Sequence, residues 1–119
     1  MCQTLFLNLL VWCTVVCHFD YSYGPEGSRS YIRLPRGEKQ VQAILYCHQN
    51  MTEEVLFRSP FFTHKMDSLG IAMAFIQRGS QDWDVNIKDE NGLTCQQRFE
   101  QIIQAFADGT HHPELLTAK

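Results

Sequence analysis

Apolar positions recur at i, i+3, i+4 and i+7 most cleanly near the end of the chain. Phe99, Ile102, Ile103 and Phe106 share one face there, and Gln96, Gln97, Glu100, Gln101 and Gln104 share the other. This pattern predicts an amphipathic helix over about 95–108. Thr94 and Gln97 have the spacing of a capping box, and Gly109 has the place of a helix stop. Upstream, Leu69, Ile71, Ala72, Met73, Ala74, Phe75 and Ile76 form a run that is apolar on nearly every side. With Asp67 or Ser68 as cap and Gly79 as stop, the run predicts a buried central helix over about 68–78. Between the two, Trp83–Lys88 reads as a short extended piece and Asp89-Glu90-Asn91-Gly92 as a turn, together spanning 83–92.

The rest of the chain is less regular. Residues 18–36 are rich in Tyr, Ser and Gly and predict an extended lead-in; within it Tyr31–Leu34 suits a strand ended by Pro35, with Arg36-Gly37 as a turn. From Glu38 to His48 helical and strand periodicities compete, and the few β-branched residues favour a helix. Thr52 is placed to cap a helix running through Glu53, Glu54, Val55 and Leu56, and Pro60 interrupts what precedes it. Residues 110–119, with His111-His112-Pro113, predict a frayed tail. The expected architecture is a small single domain, α+β or mainly α, over residues 37–109. Its core is expected to hold Leu69, Met73, Ile76, Phe99, Ile102, Ile103 and Phe106, with the last helix packed on the 69–76 helix.

Composition and charge narrow the function. The 119 residues are 45% hydrophobic and carry 10 Lys+Arg against 13 Asp+Glu, a net charge of −3. That suits one folded domain and excludes a chain disordered throughout. The mild acidity argues against a nucleic-acid partner, which needs a concentrated basic surface. No charged residue occurs before Asp20, and Leu5–Cys17 is apolar except for Asn8 and Thr14. As a helix this segment reaches about 20 Å, short of a bilayer's hydrocarbon but the length of a signal-peptide core. Val15 and Cys17 suit a cleavage site before His18. The nearest basic residues, Arg29, Arg33, Arg36 and Lys39, all follow the segment, so a short uncleaved anchor with a cytosolic domain is one alternative for residues 1–17, and a buried core helix or strand is the other.

Cysteine usage fits export. Of the five cysteines, Cys2, Cys13 and Cys17 leave with the leader, and Cys47 and Cys95 remain as a candidate disulfide. In the cytosol both would be small buried apolar residues. Asn50-Met51-Thr52 is a glycosylation sequon with Asn50 as acceptor, relevant only in the secretory lumen.

One segment carries a resemblance. Gly70-Ile71-Ala72-Met73-Ala74-Phe75-Ile76-Gln77-Arg78-Gly79-Ser80, followed by Asp84-Val85-Asn86-Ile87-Lys88-Asp89-Glu90-Asn91-Gly92-Leu93-Thr94, resembles the junction between two ankyrin repeats. In that family a helix ends at a Gly and an Asp-Val-Asn segment leads to an Asp-x-x-Gly-x-Thr turn that opens the next helix. The resemblance, over residues 70–94, implies a single degenerate unit with a non-catalytic protein-binding surface, usually intracellular.

No residues are assignable to catalysis, cofactor binding or metal binding. As a calcium loop, Gly92 at the sixth position puts Ile87 at the first and Arg98 at the twelfth, where carboxylates are needed. Cys13, Cys17 and His18 fall in the apolar leader, His111-His112 in the tail, and neighbouring Cys47-His48 point apart. Phosphate-binding loops, nucleophile elbows and zinc-protease motifs are missing. The expected function is a non-enzymatic secreted binding or signalling protein with an unknown protein partner. The alternative is an intracellular or membrane-anchored interaction module of ankyrin-like character. No cofactor is expected, and membrane contact only through an uncleaved leader.

Overall fold

The computed structural model describes residues 19–26, 28–37, 40–48, 51–76, 88–89 and 91–118. Among these, the elements run β1 (Tyr21–Tyr23), β2 (Ser30–Arg33), β3 (Ala43–His48), α1 (Met51–Arg58), α2 (Pro60–Leu69), β4 (Ile71–Ile76), α3 (Cys95–Thr110) and a C-terminal 3₁₀ turn (Pro113–Leu116). The fold class is α+β. The leader at 1–17, the sequon residue Asn50, Gly79 and the extended piece at 83–87 lie outside the described residues.

The four strands form one sheet in the order β1-β2-β4-β3. β1 and β2 make an antiparallel hairpin that sets Tyr21 opposite Ile32, and β2 runs antiparallel to β4 with Ile32 opposite Ala74. β3 and β4 are parallel, with Leu45 opposite Met73. A parallel pair needs a long crossover, and α1 and α2 supply it. Residues 18–36 are therefore not a separate lead-in, because β1 and β2 are half of the sheet.

β4 corrects the expected helix at 68–78. Ala72, Met73, Ala74 and Phe75 are all buried, because the strand lies inside the sheet with both faces covered. Such a strand loses the alternation that marks a half-exposed one, so it imitates a buried helix in sequence. Gly70 is the true helix stop. It caps α2 in the left-handed conformation (φ 69°), and its N–H bonds back to Asp67 and Met66. A Cβ there would lie 3.2 Å from the Gln40 carbonyl, so the position is also crowded. Leu69, expected in the core, ends α2 and is half exposed. The side chain of Ile76 lies outside the described part of the structure.

β3 corrects the helix favoured for 38–48. Ile44 and Tyr46 point to one face while Leu45 and Cys47 point to the other, so within Ala43–His48 the strand period of two is the informative signal, and Val41, before the strand, packs with Ile44 and Tyr46. At the next junction Pro60 does break the chain, but it also begins a helix. Ser59 is the N-cap, its hydroxyl accepting from the Phe62 N–H at 3.3 Å, and Pro60 fills the first helical position, where no N–H is needed. α1 starts at Met51, one residue before the expected cap Thr52.

Two apolar layers sandwich the sheet. α3 and the 3₁₀ turn cover Ile32, Ile44, Tyr46, Ala72 and Ala74 with Phe99, Ile102, Ile103, Phe106, Ala107 and Leu115. α1 and α2 cover Leu45, Cys47, Met73 and Phe75 with Phe57, Phe62 and Met66. The alanines of β4 face α3 and let the helix approach the sheet, while Met73 and Phe75 fill the deeper space opposite. Met73 is buried on the α1/α2 side, Ile102, Ile103 and Phe106 are buried on the α3 side, and Phe99 is half-buried against the α3-side cluster. α3 carries the full capping box, Thr94 accepting from Gln97 N–H and Gln97 from Thr94 N–H.

The end of α3 differs from expectation. Gly109 lies inside the helix, and the left-handed cap is His111 at φ 58°. Gly109 is required for another reason: a Cβ there would fall inside the Tyr21 ring. The expected frayed tail folds back, because Leu115 buries all but 1% of its surface under α3.

Candidate interaction site beside β3

β3 stands at the end of the strand order, and among the described residues no strand pairs with its outer edge. The opposite edge is handled differently. β1 has only three residues, and beside it Arg29 donates to the Ser22 hydroxyl at 2.9 Å and the Gly24 carbonyl at 2.7 Å. Ala43-Ile44-Leu45-Tyr46-Cys47-His48 contains no Lys, Arg, Asp, Glu, Pro or Gly. Its composition is that of an interior strand of a parallel sheet.

Beside that edge lies a groove of about 350 Å³. Its floor is Ile44 and Ile103, and its walls are Phe99 with Glu100 and Gln104 on α3 and Leu115, Leu116 and Ala118 on the C-terminal turn. The turn is held by the chain itself. His112 Nδ1 lies 2.7 Å from the Glu114 carboxylate, which also accepts from the Val41 N–H at 3.5 Å. The His112 contact, chiefly, holds the Glu114 carboxyl below its ordinary value. Of the groove residues, Phe99 and Ile103 were expected as core. Ile44 was hidden by the helical reading of β3, and Leu115, Leu116 and Ala118 by the reading of the tail as frayed. The visible signal was the apolar pair Leu115-Leu116 following a proline.

Next to the groove the Tyr46 ring meets Phe99 edge to face, centroids 4.8 Å apart. Its hydroxyl is buried on the sheet beside Ser30. Burial chiefly, with Cys95 nearby, pushes the phenol well above its ordinary value, against the pull of Arg98. Tyr46 is thus a neutral structural hydroxyl at physiological pH. Asp89 is spent on the chain: it accepts from the N–H groups of Asn91 (2.8 Å) and Leu93 (2.9 Å) and pairs with Arg98 at 3.0 Å. Those bonds, the Leu93 N–H first, hold its carboxyl below the ordinary value.

The candidate disulfide pairs Cys47 with Cys95. Cys47 and Cys95 are not bridged, and the sheet separates them. Cys47 packs with Phe57, Met73 and Phe75 on the α1/α2 side, while Cys95 opens α3 and lies near Tyr46 on the other. Successive strand residues point to opposite faces, which sets Cys47 on the side of the sheet away from Tyr46 and Cys95. Among the described residues no group of three or more His, Cys, Asp or Glu is placed to hold a metal ion. Among the same residues no helix is long and apolar enough to cross a membrane. Residues 71–76, a helix under the ankyrin resemblance, form strand β4.

No family model, curated protein or solved structure matches the chain.

Proposed function

We propose that the chain is a non-enzymatic protein-binding domain that receives an apolar segment of a partner protein in the groove beside Ile44. The observation that carries this reading is the apolar groove of about 350 Å³ between α3 and the C-terminal turn, lined by Ile44, Phe99, Ile103, Leu115 and Leu116. Apolar side chains docking in such a groove supply affinity, and the flanking Glu100 and Gln104 supply polar contacts at its rim. The expected ligand is a segment with aliphatic or aromatic anchors.

A displayed library of random extended peptides, panned on the purified full chain, tests the reading. Enrichment of sequences with aliphatic or aromatic anchors is expected. Leu116→Glu, which places a charge at the groove mouth on a half-exposed residue, should weaken the selected peptides at least about tenfold, the effect of one lost anchor contact. Phe61→Glu, on an exposed face of α2 in the other layer, should leave them unaffected. Binding that follows Phe61 rather than Leu116 overturns the reading.

Export belongs to the same proposal, with the uncharged opening acting as a signal peptide. Intact mass of the product secreted by mammalian cells should show a chain beginning near His18. Recovery from the cytosol with Met1 attached would overturn export and leave the binding site untouched.

A further inference from the structure

We infer that Asn91 is a deamidation site held closed by the turn built around Asp89, and that its conversion to isoaspartate releases the start of α3. Asn91 and Gly92 are both exposed, so water and base reach them. Gly92 puts no side chain in the way of an attack on the asparagine amide. Its backbone nitrogen, once deprotonated, can add to Asn91 Cγ. The new N–Cγ bond closes a five-membered succinimide, the Cγ–Nδ2 bond breaks, and the amide departs with a proton as ammonia. Water then opens the ring at one of its two carbonyls. The product is aspartate, or isoaspartate, in which the main chain runs through Cβ and Cγ. The net change exchanges NH2 for OH, and nothing is oxidised or reduced.

In the folded chain the attacking atom is occupied. Gly92 N–H donates to the Asp89 carbonyl at 2.9 Å, and Asp89 N–H donates to the Leu93 carbonyl at 2.9 Å. Asn91 N–H and Leu93 N–H both donate to Asp89 Oδ1, at 2.8 and 2.9 Å. Asp89 Oδ2 is in turn paired with Arg98 of α3 at 3.0 Å. Attack requires the Gly92 nitrogen to lose its proton and turn toward the Asn91 side chain, so its bond to Asp89 must open first. Exposed turns open locally without global unfolding, which makes the reaction slow and not forbidden. The turn itself demands the vulnerable glycine, since Gly92 sits at φ 76°, where a side chain is strained. Isoaspartate adds a methylene to the main chain between residues 91 and 92. Leu93 N–H then falls out of register with Asp89 Oδ1. Leu93 leads directly into Thr94, whose hydroxyl accepts from Gln97 N–H and caps α3, so the cap loses its anchor.

Incubation of the full chain in mildly alkaline buffer, with and without unfolding urea, tests the inference, with conversion of Asn91 read by peptide mass. Conversion should be at least about tenfold slower in the folded chain than in urea, the effect of a modest local opening cost. Asp89→Ala deletes the acceptor of the Asn91 and Leu93 N–H groups and should move the folded rate toward the urea rate. The isoaspartyl chain, separated by chromatography, should lose hydrogen-exchange protection at the Leu93 and Gln97 amides and melt at a lower temperature. Asn91→Gln, whose longer side chain needs a six-membered ring to react, should keep its melting temperature through the same incubation. Equal rates with and without urea overturn the gate, and no conversion of Asn91 in urea overturns the site. An isoaspartyl chain with unchanged protection at Leu93 and Gln97 overturns the release of α3. If Asp89→Ala does not fold, as judged by circular dichroism, the unaltered chain with and without urea decides alone.

Discussion

The guanidinium of Arg33 meets the carboxylate of Asp67 through two parallel hydrogen bonds, of 2.6 and 3.0 Å, and joins β2 to α2. The same carboxylate accepts from the Arg36 N–H at 2.9 Å, so the loop after β2 is tied to the crossover helices. Nearby, Asp20 binds the Leu34 N–H and the Arg36 guanidinium, which pins the loop from its other side. With side-chain exposures of 8% and 15%, the Arg33–Asp67 pair is largely shielded from water. Asp67→Asn leaves the Arg33 charge buried without its counter-charge and should cost about 3–5 kcal/mol, measurable by urea denaturation.

The same pair sets an acid limit. The Arg33 hydrogen bond, chiefly, holds the Asp67 carboxyl below its ordinary value of 3.8, assisted by the Arg36 N–H and opposed by desolvation. The unfolded chain then takes up a proton at higher pH than the folded one. The contribution is therefore full above about pH 4 and is lost as pH falls through the lower folded value. The melting-temperature gap between the unaltered chain and Asp67→Asn should narrow as pH drops below about 4. A gap constant down to about pH 2 would contradict this assignment.

Gly109 and Tyr21 form a contact that leaves no room for a methyl group. Alanine is intrinsically the better helix residue by about 1 kcal/mol, so an unobstructed Gly109→Ala would stabilise α3. Against the Tyr21 ring it should instead destabilise by about 1–3 kcal/mol. In a Tyr21→Ala background the sign should revert. A double-mutant cycle measures the coupling, and simple additivity would show that the ring does not press on the helix.

His111 ends α3 in a conformation that costs an ordinary L-residue about 1–2 kcal/mol. His111→Gly should relieve most of that cost and raise the melting temperature by about 4 °C or more. His111→Ala should give no such gain, because alanine keeps the same steric conflict.

Phe106 is fully buried between α3 and the sheet, edge-on to Tyr21, whereas Phe61 is 86% exposed. Phe106→Ala should cost about 3–5 kcal/mol through the cavity it opens. Phe61→Ala should stay within about 0.5 kcal/mol. Equal losses at the two positions, by chemical denaturation, would be inconsistent with this packing.

The elements legible in the sequence were those with one wet face and local stop signals. α3 shows both, since Thr94 and Gln97 fix its start and the glutamines mark its outer side. Tyr31–Leu34 was recognisable as a strand because Pro35 follows it. β4 was not, because burial on both faces erases the alternation and its Ala and Met residues also suit helices. Reading Gly79 as the stop, where Gly70 is the one that caps α2, shifted the helix by a whole element. The groove was illegible for a different reason: Ile44 and Leu115 meet only after the tail folds back, a long-range event that no local window contains.

The Tyr21–Gly109 contact has a consequence for how the molecule comes together. It fastens the first described strand to the last long helix, elements separated by nearly the whole folded chain. Such a closure comes at high entropic cost and belongs late in assembly, after the local β3–α1–α2–β4 unit has formed. Trimming either terminus then does more than shorten the protein: removal of β1 would unseat α3, and removal of α3 would release the hairpin that begins the sheet.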